Sequence, residues 1–495
     1  MIRIAESPVE AGVIWAGTDD GNLQLTRDAG KHWTNLTGKA PGVPKFAEVA
    51  WIEPSRTAAG VAYVAFEHHW FDDFHPYLYK TTDFGKTWTS ISGNLPQHDY
   101  LWVVKEDPKN PQVLYVGSEL GLHVSFSGGN QWVRMHLKNL PPVAVRDIVI
   151  HPRENDLILG THGRSIWILD DVSPLQQINE QVLGESAYLF GLRPALRFDA
   201  RGGFAGGLGS GGNKPFSGPN PPYGAPITYY LKNKVPAKIE ILDSAGKVIR
   251  DLGQVPQDQG LNRVTWDLRY QGPNLRRPAD AEPETGGFRL RPQGPQVLPG
   301  KYTVRLTADG QTLTRELEVR ADPTIGAAES DLRTQLDINL KLRDMQSSVN
   351  DALRSIDTWR AELEQAEKSV RTLDPHAPKV LTGLISERTQ QLSSLELKMA
   401  RPDNIPGYSV GPRLVDRLGQ LLAAIDRVLA APTHYQVEHF NELKSEFLAD
   451  IGDVNAFIER QIPEINDTLK RNSAGALMPG KPIEIPASLT ANGRD

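Results

Sequence analysis

Three stretches of the chain repeat one pattern: Thr26-Arg-Asp28-Ala-Gly30-Lys-His-Trp33, Thr81-Thr-Asp83-Phe-Gly85-Lys-Thr-Trp88 and Ser125-Phe-Ser127-Gly-Gly129-Asn-Gln-Trp132. The consensus is Ser/Thr-x-Asp-x-Gly-x-x-Trp, with Ser127 standing where the other copies have aspartate. The tryptophans, at 33, 88 and 132, are 55 and 44 residues apart. A period in that range, carried by short strand-like runs, predicts β-propeller blades, each repeat forming one four-stranded meander.

The runs between the repeats support this. Val13-Ile-Trp-Ala-Gly17, Val61-Ala-Tyr-Val-Ala-Phe66 and Val113-Leu-Tyr-Val116 are β-branched and aromatic, and Gly, Asp, Asn and Pro turns separate them. Residues 1–180 therefore read as three blades and a last partial one that lacks a clear fourth strand. Residues 181–226 read as a connector ending in a Gly/Pro-rich linker over 200–226. Alternating strands from Ile227 to Asp322, interrupted by a proline-rich insertion at about 272–298, predict a small Ig-like β-sandwich.

At Ser330 the period changes to helical. Leu332, Leu336, Leu340, Met345, Val349, Leu353, Ile356 and Leu363 form an apolar stripe, so 327–472 reads as an antiparallel helical bundle. That stripe serves either as bundle core or as a surface for oligomerisation. Residues 473–495 read as a disordered tail. The expected class is thus mostly β and multidomain: a partial propeller, a sandwich and a helical domain.

At 495 residues, 39% hydrophobic and 23% charged, the chain has the composition of a globular protein with two to four domains. A net charge of −6 gives no electrostatic case for nucleic acid as a partner. No apolar run approaches the ~20 residues of a membrane span, so membrane insertion is not expected. The absence of cysteine excludes disulfides, thiol nucleophiles and cysteine-ligated metal. Gly202–Gly212 lacks the lysine and the strand-to-helix context of a phosphate-binding loop, and no cofactor is expected.

The repeated aspartates are poor catalytic candidates. In a turn between strands, Ser/Thr and Asp oxygens accept from backbone amides and Gly supplies positive φ, while the tryptophan packs between blades. Thr26, Asp28, Gly30, Trp33, Thr81, Asp83, Gly85, Trp88, Ser125, Gly129 and Trp132 are accordingly read as structural. The motif resembles the Asp-box, or BNR repeat, of sialidases, xyloglucanase-type glycosidases and sortilin ectodomains. With Gly17-Thr-Asp-Asp-Gly21, Gly160-Thr-His-Gly-Arg-Ser-Ile-Trp167, Trp266-Asp-Leu-Arg269 and Leu298-Pro-Gly-Lys-Tyr302, nearly the whole chain resembles bacterial sortilin-like BNR proteins, often labelled glycosyl hydrolases. The resemblance implies export of the full-length protein and more blades than this chain holds. An N-terminal truncation is therefore expected: Met1 opens without the basic and apolar pattern of a signal peptide, and missing blades would carry the signal and an active site.

In an antiparallel meander, turns alternate between the two strand ends. The repeated motif joins strands three and four, so the turns joining strands two and three lie on the opposite face. Those turns carry Asp19, Asp20, Glu67, His68, His69, Trp70, Asp72, Asp73, His75, Glu119, His162 and Arg164, the candidate ligand-binding residues. The long 67–76 turn is the strongest of them. Its carboxylates and imidazoles are the types that ligate a divalent cation or hydrogen-bond a sugar stacked on Trp70, although adjacent histidines do not match a zinc signature and no metal site is assigned.

Two functions follow as expectations. One is a binding or scaffolding module for a glycan or peptide. The other is a glycoside hydrolase with carboxylates partly in missing blades, for which Asp20 with Asp72 or Glu119 is a pair to consider. The three converging arginines and nucleophilic tyrosine of sialidases are not recognisable, so no catalytic residue is named.

Overall fold

The computed structural model describes residues 2–137, 139–198, 218, 220–277, 292–373, 379–401, 410–472 and 475–490. Most of the linker expected over 200–226, the middle of the 272–298 insertion and the last five residues lie outside them. The chain divides into two compact bodies. One comprises Met1–Gly191 with Thr228–Val235 and Gln257–Asn262; the other comprises Leu192–Ile227, Pro236–Pro256 and Arg263–Asp495.

The first body is a series of antiparallel meanders. Blade one is β1 (Arg3–Glu6), β2 (Ile14–Gly17), β3 (Leu23–Thr26) and β4 (Trp33–Asn35). Blade two is β5 (Glu48–Pro54), β6 (Ala62–His68), β7 (Asp73–Thr81) and β8 (Thr89–Ser90). Blade three is β9 (Leu101–Glu106), β10 (Leu114–Ser118), β11 (Leu122–Ser125) and β12 (Val133–Arg134). A three-stranded sheet follows: β13 (Val145–Ile150), β14 (Leu157–Thr161) and β15 (Ile166–Leu169). Strands pair in sequence order within each sheet, and the first strands pack on one another, β1 on β5, β5 on β9 and β9 on β13. This is the radial arrangement of propeller blades.

The close packing explains two glycines. A Cβ on Gly17 would lie 2.5 Å from Val49 Cγ1, and one on Gly117 would lie 2.4 Å from the Val145 carbonyl oxygen. Both sit where a second strand ends against the first strand of the next blade, and only glycine leaves room.

The repeated turns lock in one way three times. The first Ser/Thr hydroxyl accepts from the amide of the motif glycine: Gly30 to Thr26, Gly85 to Thr81 and Gly129 to Ser125, each at 2.9 Å. The Asp or Ser two residues on accepts from the amide four residues after it, His32 to Asp28 at 2.8 Å, Thr87 to Asp83 at 2.9 Å and Gln131 to Ser127 at 3.0 Å. Ser127 therefore does the aspartate's work. These bonds hold the carboxyls of Asp28 and Asp83 below the usual range, chiefly through the backbone amides of His32 and Thr87. The tryptophans then weld blades. The Trp88 ring lies edge-on to Trp15 of blade one at 6.1 Å, and Trp132 Nε1 donates to the Ile91 carbonyl in blade two at 2.8 Å. Trp33, in blade one, is 45% exposed.

After the blades come α1 (Glu180–Gly184) and β16 (Ala187–Leu189), which pairs with the Tyr229–Leu231 end of β18 (Ala225–Leu231). The second body holds a five-stranded sheet in the order β17 (Ala195–Arg197), β23 (Gln311–Ala321), β22 (Gly300–Ala308), β19 (Ala237–Leu242), β20 (Val248–Asp251). The strand β21 (Gly260–Trp266) brings the buried Trp266 to a T-shaped contact with Tyr302 at 5.4 Å. The stretch expected as a connector is thus partly strand. Ala195–Arg197 pairs in parallel with Val319–Ala321, a long-range contact that no local pattern announces.

Helices follow among the described residues of this body: α2 (Glu329–Leu373), α3 (Lys379–Met399), α4 (Leu414–Asp426), α5 (His434–Ala456) and, after a π-helical turn, α6 (Ile462–Arg471). Met345, Val349, Leu353, Ile356 and Leu363 of the predicted stripe are buried among them rather than offered to a partner. None of the described helices is long and apolar enough to cross a membrane.

The expected disordered tail is corrected over 475–490. Leu477, Ile483 and Leu489 enter the helical core, the last from the short α7 (Ala487–Thr490). Asn466 and Asn455 each pair with a tail residue's backbone in both directions, Leu477 at 2.7 and 3.0 Å and Ile483 at 2.7 and 3.1 Å. These side-chain amides replace the strand partner that an extended Pro- and Gly-rich segment lacks.

Candidate functional site

The turns β2–β3, β6–β7, β10–β11 and β14–β15 open at the strand ends away from the three locked turns, as meander order requires. The β6–β7 hairpin dominates this rim. At Glu67 the pairing of β6 with β7 shifts register, and such a bulge re-aims a side chain. Glu67 is turned inward, 1% exposed. Its Oε2 receives the His69 amide at 3.1 Å and contacts His69 Nδ1. Its Oε1 has no donor among the described residues.

Past Glu67 the chain makes a 3-10 turn over His69–Phe71, closed by Asp72 in the left-handed region at φ 61°. His69 stacks on Tyr100 at 4.7 Å and meets Trp102 edge-on at 5.6 Å. His68 stacks on Phe71 at 4.4 Å. With both histidines held from below, the turn pushes Trp70 and Phe71 outward, 79% and 63% exposed. The two make an exposed aromatic pair at the tip of the hairpin.

Three groups of this site are absent from the sequence reading's candidates. Glu48 opens β5 and pairs directly with Glu67 across the β5–β6 ladder. Tyr100 and Trp102, two residues apart at the start of blade three, form the wall against His69. Arg146 lies 3.4 Å from the Trp102 ring centroid, and Glu119, a predicted candidate, accepts from Trp102 Nε1 at 2.8 Å. Asp99 fixes the Glu119 turn by accepting from Ser118 Oγ at 2.7 Å and the Leu120 amide at 2.9 Å. Period-two alternation makes Tyr100 and Trp102 readable as same-side residues. The Glu48 pairing depends on strand register, which sequence does not display.

Burial pushes the Glu48 carboxyl up to about 7, reinforced by hydrogen bonding to Glu67 and by its charge; Arg3 acts in the opposite sense and Asp19 in the same one. Burial and the Glu119 carboxylate raise Tyr100 to about 12.

The other candidates distribute as follows. Asp20 is tied into its own turn by Thr18 and by Asn22 Nδ2 at 2.8 Å, bonds that hold its carboxyl low. Asp73 receives Tyr77 Oη at 2.7 Å and contacts His75 Nδ1 at 2.8 Å. Burial raises its pKa, but these bonds outweigh it and hold it below the usual range. His162 and Arg164 are exposed on the β14–β15 turn, where Arg164's carbonyl accepts from Trp167 Nε1 at 2.8 Å. Glu67, His69 and Glu119 are brought together around Tyr100 and Trp102. Asp73 and His75 form a second group along β7. Among the described residues, no cluster of three or more His, Asp or Glu is placed to hold a metal ion.

The Glu48 shift has a stability consequence. A carboxyl raised from 4.5 to about 7 on folding adds stability in full below pH ~4.5 and loses it as pH rises through ~7. Glu48→Gln keeps a neutral donor at Glu67. Thermal melts should show the variant more stable at pH 8 by on the order of 1 kcal/mol, after screening at a partly exposed group, and indistinguishable at pH 5. Parallel wild-type and variant curves across that range would contradict the pairing.

No protein-family model matches the chain. It is 29% identical over 110 residues, 22% of its own length and 13% of the relative's, to a probable oligoxyloglucan-reducing end-specific xyloglucanase of Neosartorya fischeri. Among solved structures it is similar to the GH74 xyloglucanase of Xanthomonas campestris, at 15% identity and a TM-score of 0.28, over 63% of this chain and 44% of that one. It is also similar to YCF48 bound to D1 peptide, at 11% identity and a TM-score of 0.25, over 63% and 84%. The chain thus spans less than half the length of both xyloglucanases.

Proposed function

We propose that the chain is a binding module whose ligand, a glycan or an extended peptide, seats on the rim at the β6–β7 hairpin. One observation carries this reading. Trp70 and Phe71 stand 79% and 63% exposed on a hairpin whose Glu67 and His69 are buried or half-buried and bonded to each other. An aromatic pair presented on a pre-organised base binds at little ordering cost, and flat aromatic faces suit both sugars and peptide side chains. In the finer family reading, supported by the quoted motifs, this is a sortilin-like BNR protein. Its repeated turns are Asp-boxes, its second body includes an Ig-like sandwich, and its full-length form is exported.

A glycoside hydrolase is the second reading. The match to a xyloglucanase favours it, and so does Glu48, a carboxyl protonated near neutral pH as a general acid must be. Against it, Glu48 is within hydrogen-bonding reach of Glu67, whereas paired glycosidase carboxyls stand ~5–9.5 Å apart.

Glycan and peptide arrays probed with the wild-type chain and with Trp70→Ala decide between these readings. The binding reading expects a ligand whose affinity falls about 30-fold in Trp70→Ala, the effect of removing a central aromatic anchor. A ligand bound equally by both proteins overturns the rim as its seat. Turnover of xyloglucan oligosaccharides would establish the second reading.

A further inference from the structure

Glu67 presents an unusual problem. It is 1% exposed, one oxygen is saturated by His69, and the other, Oε1, has no donor among the described residues. A buried carboxylate oxygen is costly to leave without a partner. What faces it is a second carboxyl, Glu48, its cross-strand neighbour. Two carboxylates side by side are stable only with a positive charge or a proton between them. Glu48, unlike Glu67, is partly open to solvent, so an incoming group can reach it.

The surroundings favour a cation. Asp19, on the neighbouring β2–β3 turn, adds negative charge at Glu48. Glu119 adds it at Tyr100. Two arginines lie nearby: Arg3, whose charge acts on Glu48, donates its Nε to the Ala50 carbonyl at 2.5 Å and lies over Trp51 at 4.9 Å, and Arg146 lies over Trp102. His69 is bonded to Glu67 and stacked on Tyr100. The described residues offer no third ligand for a metal ion, so a cation bringing its own hydrogen-bond donors fits best. Trp70 lies against His69, the residue bonded to Glu67, at 4.7 Å, and Phe71 against His68 at 4.4 Å; aromatic ring faces attract cations and the alkyl stems that carry them.

We propose that Glu48, backed by Glu67 and Asp19, seats the ammonium or guanidinium group of a lysine or arginine side chain in an extended peptide that packs on Trp70 and Phe71. This rests on the rim reading above and names its ligand class. Binding exchanges one positive species for another. The proton held between Glu48 and Glu67 passes to a buffer base as the ligand cation enters, so that the carboxyl O–H bond breaks, Glu48 becomes carboxylate, and no other bond changes. Glu67 is a positioning residue that keeps negative charge behind Glu48.

The test uses an array of Lys- and Arg-containing decapeptides, their acetyl-lysine and citrulline counterparts, and a glycan panel. Calorimetry of the best binder in phosphate and in Tris follows. Basic peptides should bind, and removing their charge should weaken binding about tenfold. Glu48→Gln should weaken it similarly at pH 8, although the variant melts no lower than the wild type there. The buffer comparison should report about 0.9 proton released per peptide at pH 6 and about 0.1 at pH 8, as a group titrating near 7 requires; Glu48→Gln should abolish the release. Asp19→Asn, on an exposed turn, gives a second variant that should weaken binding without touching the Glu48–Glu67 pair. Neutralised peptides binding as tightly, or release that persists in Glu48→Gln, would overturn the cation seat. Glycan binding that depends on Trp70, without basic-peptide binding, would overturn the seat and leave the rim. No Trp70-dependent ligand of either kind would overturn both.

Discussion

Asp426→Ala is expected to destabilise the second body by about 3–5 kcal/mol, the scale of breaking a buried ion pair from one side. Asp426, at the end of α4, is buried and its Oδ2 pairs with Arg269 Nη1 at 2.5 Å. Its Oδ1 accepts from the Gln296 amide at 3.0 Å and Asn339 Nδ2 at 3.3 Å. Beside it Arg197, 2% exposed, bonds to Gln296 Oε1 and Gln335 Oε1, each at 3.1 Å, both neutral. Asp426 is therefore the anion that two guanidiniums share, and alanine leaves both charges without it. Urea unfolding should show the loss, and the double change Arg269→Met with Asp426→Leu should recover part of it, since it removes one of the two stranded charges and leaves Arg197. A loss under about 1 kcal/mol for Asp426→Ala would contradict the network.

Trp88→Ala is expected to cost a similar ~3–5 kcal/mol in the first body. Trp88 is buried against Trp15 of the preceding blade, and its Nε1 donates to the Gly85 carbonyl at 3.1 Å. Trp33 provides the comparison inside the same motif. It is 45% exposed, and Trp33→Ala should cost well under 1 kcal/mol. Equal losses for both would show that the motif matters for something other than packing between blades.

The contrast between these tryptophans shows what sequence reveals here. The turn chemistry is local: hydroxyl, carboxylate and glycine lie within five residues, so the lock is legible, down to Ser127 replacing aspartate. The exposed hairpin is equally local, and it drew the candidates to 67–76. What escaped is non-local. Glu48 reaches Glu67 by strand register across a 19-residue separation, from 48 to 67. Arg197 lies in the stretch that reads as a connector, and its strand pairs more than a hundred residues away with Val319–Ala321. The tail reads as polar and broken, yet Asn455 and Asn466 supply its missing backbone partners. His162 and Arg164 were grouped with the other turns because alternation places all four at one end. Sharing an end does not bring side chains together.

The central claim is a division of labour: the repeated turns hold the blades, and the opposite rim binds. The direct measurement compares Trp70→Ala/Phe71→Ala with Asp83→Ala, recording the melting temperature and the affinity for the best array ligand of each. Asp83 accepts from the Thr87 amide and from Thr81 Oγ1, each at 2.9 Å, so its loss should lower the melting temperature and leave affinity per folded molecule unchanged. The aromatic pair is exposed, so its loss should abolish binding and leave the melting temperature within a degree or two. Lost affinity in folded Asp83→Ala, with binding intact in the rim double variant, would contradict the account.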